Sequence, residues 1–398
     1  MKILFIADVP LENPTSGSEQ VLYQQATGLV RQGMDVYAIT RQSNAPLRFF
    51  RNVKSVKEGS YGASAQKIFP SLYSLIRYPV KFYNSFTRAS PFQAVICHQP
   101  FTGFSLLLAR KLANIPMIYV FHSPSHEEYL LSHENKSRLQ NLPHVTIRRI
   151  IEKFCLQRSK KIITLSRYMQ QKVVEIHRIP ADRIMVNPGG VDLKHFMTPE
   201  NRTLLKKKLD FPEGKVHLLT IRNLEPRMGL DNLLRCIHLL KNKLNVHLTI
   251  GGDGVERRNL NNMVVKYGLV NDVTMTGFIP SELLLKYYGA ADFFILPTRS
   301  LEGFGLVTPE SMACGTPVLG TPVGGTSEIL SGFDKQFIFK DASSKAMAEG
   351  TEAVIDNYFT ASEKYEDLRR RCREYTEKKY SWERHIERLK SILSGLTC

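Results

Sequence analysis

Short apolar runs alternate with stretches of helical periodicity along two separate parts of this chain, and that alternation constrains the fold more than any other feature. Residues 2–7 form a run suited to a buried strand. After Gly17-Ser18, the residues Val21, Leu22, Ala26, Leu29 and Val30 recur at helical spacing, and Gly33 ends the helix. Residues 36–40, 94–96, 117–121 and 161–166 read as the next strands. A second series begins near Val216, with strands at 216–221, 246–250, 273–276, 293–296 and 317–320 and helices at about 229–241, 255–267 and 281–290. Strands alternating with helices imply mostly parallel sheets. The Pro188-Gly189-Gly190 turn and the polar stretch 197–215 separate the two series. The expectation is an α/β chain with two open, mostly parallel sheets that leave a cleft between them, with ligands at the carboxyl ends of the strands.

Composition excludes several other classes. Of 398 residues, 43% are hydrophobic and 23% charged, which is ordinary for a globular chain and unlike a disordered or disulfide-stapled one. No apolar run approaches the roughly 18 residues of a membrane span. The opening run meets Asp8 after five apolar residues, too short for a secretory signal, so a soluble or peripheral cytoplasmic protein is expected. The six cysteines are scattered without a Cys-x-x-Cys pair, which fits reduced thiols and not structural zinc. The net charge of +17 is uneven: residues 1–195 hold 26 Lys/Arg against 12 Asp/Glu, while residues 196–398 hold 28 against 25. An acidic partner for the first half alone is implied. No recognition motif supports nucleic-acid binding.

The segment Leu301-Glu302-Gly303-Phe304-Gly305-Leu306-Val307-Thr308-Pro309-Glu310 carries the chemistry. Thr308 reads as an N-cap and Pro309 as the first helical residue. Gly303 and Gly305 let backbone approach a ligand closely, and the amides before the helix suit a diphosphate. Sugar and ribose hydroxyls donate well to ionised carboxylates such as Glu302 and Glu310. The alternative for these two is a loop charge at 302 and a helix-dipole partner at 310.

Glu302 and Glu310, seven residues apart with Gly-Phe-Gly between them, resemble the E-x7-E signature of retaining glycosyltransferase family 4. Met312-Ala313-Cys314-Gly315-Thr316-Pro317-Val318 and Gly324-Gly325-Thr326-Ser327-Glu328-Ile329 also match it, and Gly252-Asp253-Gly254, Gly277-Phe278, Ala291-Asp292 and Leu296-Pro297 precede it in the usual order. Asn187-Pro188-Gly189-Gly190-Val191-Asp192 and Pro14-Thr15-Ser16-Gly17-Ser18-Glu19 resemble family segments of the first domain, so the likeness covers nearly the whole chain.

The resemblance implies the GT-B fold of two Rossmann-like domains, with an acceptor domain at 1–195, a nucleotide-sugar domain at 196–378 and a terminal helix, 379–398, returning to the first domain. It places Glu302 on sugar hydroxyls, Glu310 on the ribose, and the amides around Phe304, Gly305 and Leu306 on sugar and phosphate. Gly17 lies in the Gly-rich first loop and is assigned to the donor. It implies no cofactor and no metal. Two basic side chains should support the diphosphate. Arg222 fits the first position, but Met228 stands where the family has Lys, leaving Arg227 as a substitute or Arg222 acting alone. His122, at the end of a strand, matches the family's histidine near the reacting sugar; a strand-end histidine bonded to backbone is the alternative. His98 is a weaker candidate for acceptor contact. Trp382 reads as a packing anchor.

The expected function is transfer of a sugar, with retention, from a nucleotide-diphospho-sugar to an acceptor hydroxyl. A soluble small-molecule acceptor and a nucleotide-sugar epimerase on the same fold are the alternatives. Residues 41–88 hold nine basic residues and one acid, Glu58. Further along, Phe69, Tyr73, Tyr78, Phe82, Tyr83, Phe86 and Phe92 interleave with Lys67, Arg77, Lys81 and Arg88. Pro70, Pro79 and Pro91 should limit this stretch to one or two short helices. Aromatic and basic residues together suit an anionic membrane surface, so a glycan or lipid-linked acceptor and a peripheral place on the inner face of a membrane are expected.

Overall fold

A computed structural model describes residues 1–42, 48–53, 56–62, 72–88, 90–133, 137–359 and 362–397. The chain forms two units, one of residues 1–189 with 382–398 and the other of residues 190–381.

The first unit is built on the strands β1 (Lys2–Ile6), β2 (Asp35–Gln42), β3 (Arg48–Val53), β4 (Val56–Gly62), β5 (Ala94–Cys97), β6 (Met117–Phe121), β7 (Lys161–Thr164) and β8 (Ile184–Val186). Their order is β3-β4-β2-β1-β5-β6-β7-β8, parallel throughout except for the antiparallel β3–β4 pair. The apolar runs read from the sequence are the strands in the middle of this sheet. Ile3, Phe5, Ala38, Ile96, Val120 and Ile163 are all fully buried in one core cluster. β3, β4 and β8 were not legible, being short or polar.

The second unit carries β9 (Val216–Ile221), β10 (Val246–Gly251), β11 (Val273–Gly277), β12 (Phe293–Leu296) and β13 (Val318–Gly320) in the all-parallel order β11-β10-β9-β12-β13. In each sheet the strand order reverses once, at β1–β5 in the first and at β9–β12 in the second. The loops leaving these strands form the crevice where open α/β sheets bind ligands.

The unit boundaries shift from the expected 195 and 379. Val191 donates its amide to the Tyr380 carbonyl at 3.0 Å and pairs with Ser381 as a parallel bridge, which ties both connecting segments into the second unit. The terminal helix Trp382–Thr397 buries Ile386, Leu389 and Leu393 in the core of the first unit. Trp382 is 4% exposed and stands edge-on to His385, as an anchor does. A Cβ at Gly28 would lie 2.6 Å from Ile386 Cγ1, so glycine lets the helix Gly17–Arg31 approach the terminal helix closely.

The aromatic and basic stretch also departs from expectation. A single helix, Leu72–Phe86, runs through Pro79 without ending. Phe82, Tyr83, Phe86 and Phe92 are buried, and Phe86 and Phe92 both meet Tyr37 edge-on. These rings belong to the core, while Arg77, Lys81 and Arg88 are exposed. Lys67, Phe69 and Pro70 lie outside the described residues. No helix among the described residues is long and apolar enough to cross a membrane.

Candidate functional site

In the second unit the site is assembled by the loops after β9 and β12. Arg222 follows β9, and Thr298 and Glu302 follow β12. Arg222 Nη2 donates to Glu302 Oε2 at 2.5 Å, and Thr298 Oγ1 donates to the same oxygen at 3.0 Å. Both charged side chains are buried, at 6% and 10% exposure. Two ions withdrawn from water at this depth hold each other, and removal of either strands the other. The sequence reading gave these residues separate ligands; the structure makes them partners. Thr298 carried no sequence signal.

Glycines bring the backbone around Glu302 into close contact. A Cβ at Gly324 (φ 64°) would lie 2.0 Å from the Glu302 carbonyl, and the Gly325 amide donates to that carbonyl at 2.9 Å. Gly305 has φ 80°, and a Cβ there would lie 2.3 Å from Thr326 Oγ1 and 3.6 Å from Glu302 Cδ. The Thr308 and Thr326 hydroxyls are buried and have no hydrogen-bond partner among the described residues. Thr308 is therefore not the N-cap. The helix runs Val307–Ala313 with Leu306 in the cap position and no side-chain cap, because the left-handed Gly305 turns the chain earlier. Phe304 is buried against Tyr380, with ring centroids 5.8 Å apart. Gly252-Asp253-Gly254 is a close-approach turn: a Cβ at Gly252 would sit 1.8 Å from the Arg222 carbonyl.

Glu310 is half-buried, and Tyr288 donates its hydroxyl to Glu310 Oε2 at 3.0 Å. Burial pushes its carboxyl up to about 7, against the lowering effect of the Tyr288 hydrogen bond. A carboxylate held this way gains from further hydrogen-bond donors. Tyr288 was not singled out from the sequence; only the fold brings it to Glu310.

Met228 is 5% exposed, and its Sδ lies 2.9 Å from Arg222 Nη2. Position 228 thus lies beside Arg222, where a lysine would add a second cation. Arg227 is engaged elsewhere, donating from Nε to Glu225 at 3.1 Å and from Nη1 to the Leu301 carbonyl at 3.1 Å. Leu301 has φ 57°, a left-handed conformation that a branched side chain adopts at a cost, and it directly precedes Glu302. Arg222→Ala is expected to lower activity more than Arg227→Ala. If Met228→Lys raises activity while Arg227→Ala is neutral in steady-state kinetics, Arg227 does not replace the missing lysine.

In the first unit, His98 follows β5, at the switch of that sheet, and His122 follows the neighbouring strand β6. The two rings meet through His98 Nδ1 and His122 Nε2 at 3.0 Å. Burial lowers His122 to about 4 and lowers His98 well below the usual range, so both are neutral at pH 7. Gly17 opens the helix Gly17–Arg31, where Ser16 and Glu19 form a capping box. Glu19 Oε2 accepts from the Thr15 amide at 2.7 Å and the Ser16 amide at 3.1 Å, so those two amides are already taken.

Two α/β units of this topology define the GT-B class of glycosyltransferases. Residues 201–379 match the model of glycosyl transferases group 1, and residues 15–195 match that of glycosyltransferase family 4. The chain belongs to glycosyltransferase family 4 and is an enzyme acting on nucleotide sugars. It is 25% identical over 373 residues to a D-inositol 3-phosphate glycosyltransferase of Pseudarthrobacter chlorophenolicus, covering 89% of this chain and 86% of that one. Among solved structures it resembles sucrose-phosphate synthase from Thermosynechococcus elongatus (TM-score 0.80, 20% identity, 100% and 99% of the two chains). It also resembles Anabaena HepE in complex with UDP and glucose (TM-score 0.76, 19% identity, 99% of each chain).

Proposed function

We propose that the protein transfers a sugar from a nucleoside diphosphate sugar to an acceptor hydroxyl with retention of configuration and without a resident metal. The buried Arg222–Glu302 pair at the β9–β12 switch carries this reading. A donor offers hydroxyls to Glu302 and an anion to Arg222, so each partner finds a replacement as the pair opens. The backbone at Phe304, Gly305 and Leu306 and the unpartnered hydroxyls of Thr308 and Thr326 add donors and acceptors beside it. Glu310 holds the ribose. Phe278, 67% exposed after β11, offers an aromatic face near the base. His122 meets a hydroxyl of the reacting sugar. As the bond from the anomeric carbon to the phosphate oxygen breaks, the acceptor oxygen bonds to that carbon on the same face and gives its proton to the leaving phosphate oxygen, while Arg222 holds the developing charge. The UDP complex of the similar HepE supports a nucleotide donor. A hydrolysis screen of nucleotide sugars without acceptor tests the assignment. One donor should release nucleoside diphosphate, and a chelator should not prevent it. Release from none, with no nucleoside diphosphate bound, overturns it.

The acceptor in this reading is membrane-associated, reached by a peripheral protein on the inner face of a membrane. Arg77, Lys81, Arg88 and Lys111 border a groove of about 980 Å³ that also includes the apolar side chains of Ile76 and Val80. The helix Pro100–Leu108 packs against both the basic helix Leu72–Phe86 and the helix Arg138–Arg158. On that last helix Leu139, Leu142 and Ile150 are 82%, 60% and 61% exposed. Exposed leucines replace the buried aromatic rings as the apolar part of the surface, and the cations supply attraction to anionic lipid at about 1 kcal/mol each. Flotation with anionic liposomes should show binding at low salt that is lost at high salt. Changing Arg77, Lys81 and Arg88 together to Ser should weaken it by about 100-fold. Absent binding at low salt, or binding indifferent to these changes, favours a soluble acceptor.

A further inference from the structure

A hydrogen-bonded chain of four side chains runs through the interior of the first unit and ends at His122. His385, in the first turn of the terminal helix, places Nδ1 2.7 Å from the Pro188 carbonyl. Its Nε2 lies 2.9 Å from Gln25 Nε2. Gln25 Oε1 lies 3.1 Å from His98 Nε2, and His98 Nδ1 lies 3.0 Å from His122 Nε2. Gln25, His98 and His385 are each at most 1% exposed. Asn187 Nδ2 donates to the His385 carbonyl at 3.1 Å, fixing the backbone at the start of the chain.

The polarity of the whole chain follows from its first acceptor. A carbonyl oxygen only accepts, so His385 Nδ1 carries a proton. Burial lowers His385 to about 4, so at pH 7 the ring is neutral and its Nε2 is a lone pair. That lone pair accepts from the Gln25 amide nitrogen, which turns the Gln25 oxygen toward His98. His98 Nε2 then donates to that oxygen, and His98 Nδ1 is left as an acceptor. His122 Nε2 must donate to it. The opposite polarity would set two lone pairs against each other at 2.7 Å between His385 and Pro188.

We infer that His385, acting through Gln25 and His98, is a positioning residue that fixes His122 in the Nε2–H tautomer and leaves Nδ1 as its only acceptor. His122 is the one ring of the chain that is partly exposed, and its Nδ1 has no partner among the described residues. The imidazole then receives a hydroxyl proton in a hydrogen bond and cannot donate one. Which ring nitrogen carries the proton is set by the bond the other makes, so a substitution at a buried amide changes what a distant ring can accept. His385 lies three residues after the chain enters the first unit from the second, and Pro188 lies just before it leaves, so the chain is anchored at both connections. The inference rests on the reading of His122 as the side chain that meets the donor sugar.

Two-bond proton–nitrogen spectra of the histidine-labelled full chain test it without any substrate. The wild-type protein should show His122 and His98 as Nε2–H and His385 as Nδ1–H, all neutral at pH 7. Gln25→Met, close in shape but unable to donate or accept at the same points, should give His122 mixed tautomers. It should lower kcat about tenfold with the donor KM within twofold, the scale of one lost hydrogen bond to the reacting group. An Nδ1–H tautomer at His122 in the wild type overturns the inference, as does a single Nε2–H tautomer and an unchanged kcat in Gln25→Met. If His122→Ala is fully active while the tautomers stand as described, the reading of His122 fails and the chain does not.

Discussion

Glu302→Ala is expected to lower turnover by about 10²–10³, the scale of losing a contact made in the transition state. The same substitution leaves Arg222 as a buried cation without a carboxylate. Breaking one side of a buried pair typically costs about 3–5 kcal/mol, so the free enzyme should also melt at a lower temperature. The two effects separate when nucleoside diphosphate is added. Arg222 then regains an anion, and the thermal shift between variant and wild type should shrink while turnover stays low. Steady-state kinetics with thermal melts, with and without nucleoside diphosphate, measure both. Normal turnover in Glu302→Ala removes Glu302 from the donor site.

Glu310 should show the opposite relation between stability and binding. Burial raises its folded carboxyl from the ordinary value of 4.5 to about 7. The folded state therefore holds a proton that the unfolded state has released, and stability falls as pH rises between those two values. Well above pH 7 the full cost is present, about 3 kcal/mol. Glu310→Gln keeps an acceptor for the Tyr288 hydroxyl and removes the buried charge. It should raise the melting temperature at pH 8 by a few degrees, with little difference at pH 4. Binding runs the other way. Ribose hydroxyls favour the ionised carboxylate, so wild-type affinity for nucleoside diphosphate should be steady above pH 7 and fall below it. Glu310→Ala should weaken donor and nucleoside diphosphate together. Unchanged nucleoside diphosphate binding in that variant, measured by calorimetry at pH 8, ends the ribose assignment.

The central strands and the glycine turn at Gly305 before a short helix were legible because each depends on local pattern. A fully buried strand such as β1 needs a continuous apolar run, and a strand-to-helix turn such as Gly305 needs a residue that tolerates φ 80°. Pro79 was misread as a break: the helix Leu72–Phe86 runs through it, because packing of Phe82, Tyr83 and Phe86 offsets the roughly 3 kcal/mol that an interior proline costs. The same packing decided which way those rings faced. A list of aromatic and basic residues does not contain that direction.

The sequence by itself determined two parallel α/β series, the positions of Arg222 and His122 just after strands, and the strand–loop–helix segment that carries Glu302 and Glu310. Those features follow from periodicity, glycine placement and spacing, which act over a few residues. Only the tertiary structure decided who partners whom. Arg222 and Glu302 are 80 residues apart, Tyr288 and Glu310 are 22 apart, and Gln25 and His385 are 360 apart. Hydrogen bonds and ion pairs form over about 3 Å, and the fold alone brings atoms so distant along the chain to that separation.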